Sequence, residues 1–325
     1  MPPVPMPLTI AHLSDVHLAP VRGLGLRHMN VKRGLGFANW SLKRRKVHLR
    51  SVVDQMTADL ARQRPDHIIV SGDLTNLGLP GEHQAARDWL ATVGPPAGVS
   101  VVPGNHDIYC PLRRDPGVER WRDYMASDSG GAAFATAVER GFPYVRLIGG
   151  GQAKVALVGL VSAVPTAPFS AIGRLGAAQL GALPRLLDRL AEAGFFRLVV
   201  IHHPPLAGQA DARRGLVDAR QLEEVLTRHG AELVVHGHNH VDMAADRAWP
   251  GGTVRVVGVA SASVGRAYKH EPLGRYNLYR IGGSGPGSGG GRTIEVVTRG
   301  LIAEDGPVRE LSRRTLASEC RLGQA

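Results

Sequence analysis

Five times along this chain, a short apolar run ends in a cluster of metal-ligand side chains. Leu8–Leu13 is followed by Ser14, Asp15, Val16 and His17, and His67–Ser71 by Gly72, Asp73, Leu74, Thr75 and Asn76. Val99–Val102 leads into Pro103, Gly104, Asn105, His106 and Asp107. Leu198–His202 continues into His203, Pro204 and Pro205, and Leu233–His236 into Gly237, His238, Asn239 and His240. Short apolar runs bounded by turn-forming residues read as buried strands. In open α/β sheets, ligands gather beyond the carboxyl ends of the strands. The five clusters are therefore expected to meet on one face. Glycine beside Asp73, Asn105 and His238 lets the backbone turn sharply and come close to that face.

Further strand-like runs are Val155–Leu160, Val254–Val259, Tyr276–Ile281 and Ile294–Thr298. Helix-like stretches lie between many of the runs, at Lys46–Arg62, His83–Thr92, Ala177–Ala193 and Asp218–His229. In the third of these, Leu180, Leu183, Leu187 and Leu190 fall on one helical face. Alternating strands and helices argue for an α/β fold with helices layered on sheet. One catalytic domain is expected over residues 1–300, with a basic and apolar insert at 19–50. Gly282–Gly291 reads as a flexible hairpin tip, and residues 301–325 as a C-terminal tail or a late docking segment.

Composition narrows the chemistry. Lys and Arg outnumber Asp and Glu by 39 to 28, a net charge of +11, so anionic partners are favoured. Phosphate esters, nucleic acids and acidic lipid headgroups all satisfy that charge. No helix-turn-helix signature, RNA-binding aromatic pattern or zinc finger is present, although a polyanion or nucleic-acid binding role stands as the alternative of a different class. Cys110 and Cys320 form no C-x-x-C pair and are expected as free thiols. No apolar run approaches the roughly 20 residues of a membrane span, and the first residues lack the pattern of a signal peptide. A cytoplasmic location is expected, with any contact at the inner face of a membrane made through the insert. Oligomeric state is not written in the sequence.

The ligand types are informative. Asp15-x-His17 and His238-x-His240 each offer two ligands from one tight turn. Carboxylate oxygen with imidazole nitrogen suits Mn²⁺, Fe²⁺ or Zn²⁺. The set is too large for one tetrahedral ion and fits two, with a carboxylate such as Asp73 able to bridge them.

In their order and spacing these motifs resemble the calcineurin-like metallophosphoesterases, whose signature is D-x-H, G-D, G-N-H-[DE], H and G-H-x-H. The match runs from Asp15 to His240. The resemblance implies a four-layer α/β/β/α sandwich and two divalent metal ions. It places Asp15, His17 and His240 on one ion, Asn105, His202 and His238 on the other, and Asp73 between them. It makes His106 a proton donor or charge stabiliser over the phosphate, with Asp107 orienting it, and implies direct attack by a metal-bound hydroxide. His203 falls behind His202.

The insert bears on the substrate. Arg22, Arg27, Lys32, Arg33, Lys43, Arg44, Arg45, Lys46 and Arg50 are mixed with Leu24, Leu26, Met29, Leu35, Phe37, Trp40 and Leu42. Such a mixture suits anionic lipid headgroups, or a nucleotide held by a guanidinium and a stacking ring; a solvated loop leading into a helix near Arg44 is the plainer alternative. Arg44, Arg45, Trp40, Asn76 and His203 are candidate substrate-binding residues, and Arg266 and His270 are candidates for the phosphate pocket. Three substrate classes stay open: cyclic nucleotides, as in the class III phosphodiesterases; a lipid-linked pyrophosphate, since the insert loosely resembles the lid of UDP-2,3-diacylglucosamine diphosphatases; and a generic phosphodiester or monoester.

Overall fold

The computed structural model describes residues 7–112, 115–136, 138, 140–150, 154–282 and 292–316. Gly283–Gly291, within the expected hairpin tip, and Cys320 lie outside the described residues. In chain order the elements are β1 (Leu8–Leu13), α1 (Val31–Leu42), α2 (Arg50–Gln63), β2 (His67–Val70), α3 (Pro80–Val93) and β3 (Val99–Val101). Then come β4 (Tyr144–Ile148), β5 (Val155–Gly159), α4 (Gly176–Glu192), β6 (Phe196–Val200), α5 (Ala219–His229) and β7 (Leu233–His236). The chain continues with β8 (Met243–Trp249), β9 (Gly252–Gly258), β10 (Arg275–Ile281), β11 (Ile294–Leu301) and β12 (Val308–Leu316). Among the described residues, no helix is long and apolar enough to cross a membrane.

The strands form two six-stranded mixed sheets, in the orders β12-β11-β10-β1-β2-β3 and β4-β5-β6-β7-β9-β8. β1 is central to the first. It runs parallel to β2, with Ile10 opposite His67, and antiparallel to β10, with Thr9 opposite Arg280. In the second sheet β5, β6, β7 and β9 are mutually parallel, and β4 and β8 run antiparallel at the two edges. One core joins Val52, Val53, Met56 and Leu60 of α2 and Trp89 and Leu90 of α3 to the strands of both sheets. A second core packs Leu183, Leu186, Leu187 and Leu190 of α4 and Leu222 and Leu226 of α5 onto Ala156, Val199 and Val234. The layers are thus helix, sheet, sheet, helix, the expected α/β sandwich.

Local chemistry explains the elements that carry the site. The buried leucines of α4 recur at helical spacing, so one face is apolar. Pro80 opens α3, where its missing N–H costs nothing. The Glu82 carboxylate accepts from the backbone N–H groups of Asn76, Leu77 and Leu79, which fixes the turn between β2 and α3. Asp59 of α2 accepts from Tyr276 Oη at 2.6 Å and from Arg299 Nε and Nη2 at 2.7 and 3.0 Å, tying the helix to β10 and β11.

Two expectations are modified. The segment after Leu301 carries β12, which pairs with β11 from Leu301 opposite Val308 to Ile294 opposite Leu316 and forms the edge of the first sheet. The insert contains a full helix, α1, capped by Asn30 Oδ1 accepting from Arg33 N–H. Its Lys32 and Arg33 do not face outward. Lys32 Nζ donates to the Tyr109 and Thr166 carbonyls at 2.9 and 3.0 Å, and Arg33 donates to the carbonyls of Leu77, His28 and Gly78. Both clamp the helix to the body of the protein.

Candidate metal centre

All five clusters converge. Asp15 and His17 leave β1, Asp73 leaves β2 and Asn105 follows β3, while His202 follows β6 and His238 and His240 follow β7. Ten non-glycine residues have a left-handed φ among the described residues, and Asp15, His17, Asp73, His238 and His240 are half of them. Such backbone costs of order 1–3 kcal/mol per residue and persists where surrounding contacts enforce it. Glycine is required beside them. A Cβ at Gly104 would collide with Asp73 Oδ1 and lie 2.5 Å from the Asp73 nitrogen. One at Gly237 would collide with Ser14 Oγ and lie 2.5 Å from Asp15 Oδ2.

Two groups of donor atoms face each other. In one, His17 Nε2 lies 3.3 Å from His240 Nε2, which in turn lies 3.1 Å from Asp15 Oδ1. In the other, Asn105 Oδ1 lies 3.2 Å from His202 Nε2 and 2.9 Å from His238 Nδ1. Asp73 Oδ2 stands between them, 3.9 Å from His17 Nε2 and 3.5 Å from His202 Nε2.

The tautomers show what these atoms are free to do. His17 Nδ1–H donates to the Thr75 carbonyl at 3.0 Å, and His202 Nδ1–H to the Ser71 carbonyl at 2.7 Å. His240 Nδ1–H donates to Glu271 Oε2 at 2.9 Å. A neutral imidazole that donates through Nδ1 keeps a lone pair on Nε2. In the neutral rings three Nε2 lone pairs therefore point into the space between the carboxylates. This is how metal-ligating histidines are oriented in proteins, and the donor set fits divalent ions. Without an ion, burial lowers the pKa of His202 and His240, but the facing carboxylates Asp73 and Asp15 outweigh it and raise both to about 9, so each ring holds a proton that a bound ion would displace.

The other expected residues fall into place unevenly. His106 Nδ1–H donates to the Asn76 carbonyl at 2.5 Å, while its Nε2 accepts from Arg44 Nη1 at 2.9 Å. Burial, with the Arg44 charge beside it, lowers its pKa to about 4. Asp107 does not orient that ring. Its carboxylate accepts from the backbone N–H groups of Asp73, Thr75 and Gly104 at 2.8 to 2.9 Å, so it shapes the turns that carry Asp73. Burial, then the Asp73 charge, raises Asp107 to about 7. The Asn76 side chain donates to the Leu18 carbonyl, so its contribution to the site is the backbone carbonyl that holds His106. His203 is occupied by Ser162 Oγ and the Ala171 carbonyl and packs its ring 4.4 Å from that of His238.

Above the ligands lies a cavity of about 290 Å³, lined in part by Lys43, Arg44, Arg214 and Lys269. Arg44 reaches the candidate ligands, with Nη2 2.7 Å from His17 Nε2. Trp40 and Arg45 are not among the lining residues; Trp40 stacks on Phe37 and Arg45 is exposed. Arg266 and His270 are also outside the lining, and their neighbours Tyr268, Lys269 and Glu271 take that place. Sequence reasoning missed Glu271, Arg214 and His48. His48 sits between Val47 and Leu49, and Arg214 and Glu271 lie outside the ligand clusters, so no local pattern marks them.

A family model for the calcineurin-like phosphoesterases matches residues 8–242, and the chain belongs to that family of metal-dependent hydrolases. It is 35% identical over 100 residues to the glycerophosphodiester phosphodiesterase GpdQ of Enterobacter lignolyticus, covering 31% of this chain and 30% of that one. It is 28% identical over 188 residues to a probable cyclic nucleotide phosphodiesterase of Synechococcus, covering 56% of this chain and 60% of that one. The chain thus spans less than two thirds of either relative. Among solved structures, a dimetal phosphatase from Danio rerio matches with a TM-score of 0.57 at 15% identity, covering 95% of this chain and 99% of that one. A purple acid phosphatase from yellow lupin seeds matches with a TM-score of 0.51 at 13% identity, covering 97% of this chain and 55% of that one. These two likenesses are of fold.

Proposed function

We propose that the chain is a two-metal hydrolase of phosphodiesters. The observation that carries this is Asp73 Oδ2 standing between two groups of inward-facing ligand atoms. Asp15, His17 and His240 would hold one ion and Asn105, His202 and His238 the other. When bound, such a pair of Mn²⁺, Fe²⁺ or Zn²⁺ ions supplies Lewis acidity, lowers the pKa of water and neutralises phosphate oxygens.

The remaining chemistry belongs to side chains. The Arg44 guanidinium sits over the site with two donors directed at imidazole nitrogens. Once the His17 Nε2 lone pair is engaged, that donor turns to a phosphate oxygen, where an ionised pair is short and strong. His106 has its only ring proton committed to Asn76. Its part is to hold Arg44 by accepting from it, which favours charge stabilisation over proton donation. Lys43, Arg214 and Lys269 make the rest of the mouth cationic and concentrate anionic substrate there. A diester is favoured over a monoester because both curated relatives are named for diesters. Cyclic nucleotides are one member of that class.

The test is parallel hydrolysis of bis-p-nitrophenyl phosphate, cyclic AMP and a UDP-linked diacyl sugar by metal-stripped protein, before and after adding Mn²⁺, Fe²⁺ or Zn²⁺. Turnover is expected with metal alone, and Arg44→Ala is expected to lower it about 100-fold with metal content unchanged. Hydrolysis that survives chelation, or an Arg44 variant as fast as the parent, contradicts this reading.

A second reading concerns the source of the substrate. In the insert, Leu26 is 95% exposed, Val31 73% and Leu42 71%. Arg27, Lys43, Arg45 and Lys46 are exposed among them. An apolar surface edged with cations binds anionic bilayers, and a site so placed would take a lipid-linked pyrophosphate. Wild-type protein is expected to sediment with phosphatidylglycerol vesicles and not with phosphatidylcholine vesicles, and the Leu26→Ser, Val31→Ser, Leu42→Ser triple variant is expected to stay in solution. Equal recovery of both proteins in the supernatant removes the membrane contact.

A further inference from the structure

His48 lies near the end of the insert, two residues before the start of α2, and is buried. It is not held as a loop residue would be. It forms a bridge with Val264, and the flanking Leu49 N–H donates to the Ser263 carbonyl while Gly265 N–H donates to the Val47 carbonyl, each at 2.8 Å. The ring is fixed as firmly. His48 Nδ1 lies 2.8 Å from Ser263 Oγ, and that hydroxyl donates to the Asp15 carbonyl at 3.1 Å. With its proton committed, Ser263 Oγ accepts from His48 Nδ1–H, which leaves a lone pair on His48 Nε2. This is the tautomer found for His17 and His240. The ring lies edge-on to both, with centroids 4.8 and 5.4 Å away, and it lines the cavity. Ligand nitrogens of the three histidines lie within 4.8 Å of one another. Even at that limit, a central ion is about 2.8 Å from each nitrogen, so closing to a bond of about 2.1 Å needs a shift of about 0.7 Å.

We propose that His48 is a third imidazole ligand of the ion held by Asp15, His17 and His240. The inference rests on the two-metal reading above. It makes the pair of sites unequal. One ion has three imidazoles and a terminal carboxylate, whereas the other has two imidazoles and an amide oxygen besides the shared Asp73. A nitrogen-rich site favours Zn²⁺ or Fe²⁺ over the oxygen-seeking Mn²⁺ and Mg²⁺. The two positions are therefore expected to take different metals from a mixture.

Wild-type protein loaded with cadmium-113 tests this directly, because scalar coupling between the ion and imidazole ring protons reports each Cd–N bond. The ion coupled to His17 and His240 is expected to couple to His48 as well. Coupling to His17 and His240 without His48 overturns the proposal and leaves the metal centre intact. Coupling to none of the three overturns the metal centre and the proposal with it. His48→Gln, titrated with Zn²⁺ against a competing chelator, is expected to bind one ion about 10- to 100-fold more weakly and the other with unchanged affinity. Two unchanged affinities overturn the proposal.

Discussion

Asp73→Asn is expected to lower phosphodiester turnover by about 10³-fold or more, while the circular dichroism spectrum of the metal-free protein stays close to that of the parent. The substitution keeps shape and removes charge. Asp73 Oδ1 accepts the His106 N–H at 2.7 Å, a bond that an asparagine carbonyl retains. Oδ2 faces His17 and His202 from both sides, and there a neutral amide cannot serve two cations. A loss of 10³-fold corresponds to about 4 kcal/mol of transition-state stabilisation, within the several kcal/mol expected of such a pair. Elemental analysis is expected to show fewer than two ions per chain. A variant with full turnover and two bound ions would exclude Asp73 from the bridging position.

The largest effect on stability is expected at Asp59. Its carboxylate is buried under Arg299, Tyr276 and Arg62. Asp59→Ala leaves the Arg299 guanidinium without its charge partner, and breaking a buried pair from one side costs about 3–5 kcal/mol. Arg299 is partly open to water, so the lower end of that range is expected. The pH dependence follows from the same contacts. Burial would raise the Asp59 pKa, but the hydrogen bonds from Arg299 and Tyr276 outweigh it and hold it below the ordinary value. A depressed carboxylate pKa contributes stability that is present above the unfolded value of about 3.9 and lost as pH falls through the folded value. Urea melts are expected to show the full gap between parent and variant at pH 6 and a smaller one at pH 3. A gap that is constant across that range would mean that the Asp59 pKa is the same in the folded and unfolded states and is not depressed by these contacts.

What was legible in the sequence was local. Each ligand cluster follows its own apolar run, and the runs at Leu8–Leu13 and Leu233–His236 are strands with those same bounds. Two edge strands, β8 and β12, were not legible. Met243–Trp249 alternates between half-buried and exposed residues and is rich in alanine and charge, while Val308–Leu316 buries only its first residue. A search for apolar runs passes over both, since an edge strand with one face in water need not be apolar. α1 was hidden for a related reason: its buried residues are Lys32 and Arg33, whose contacts lie far along the chain. The roles of His48, Glu271 and Asp107 depend on partners that no spacing rule connects. The left-handed backbone at five ligands was equally invisible, since sequence shows the residue but not the φ that aims it.

The candidate ligands are divided between the sheets. Asp15, Asp73 and Asn105 follow strands of the first, and His202, His238 and His240 follow strands of the second. Between those sheets lies an apolar core containing Ile10, Leu13, Leu157, Val200 and Val235. The proposed centre would therefore act as a caliper across the seam. A methyl group lost from that core, well away from any candidate ligand, would alter the gap that the two jaws must span, and ion affinity would become a gauge of how well the halves of the molecule are packed together.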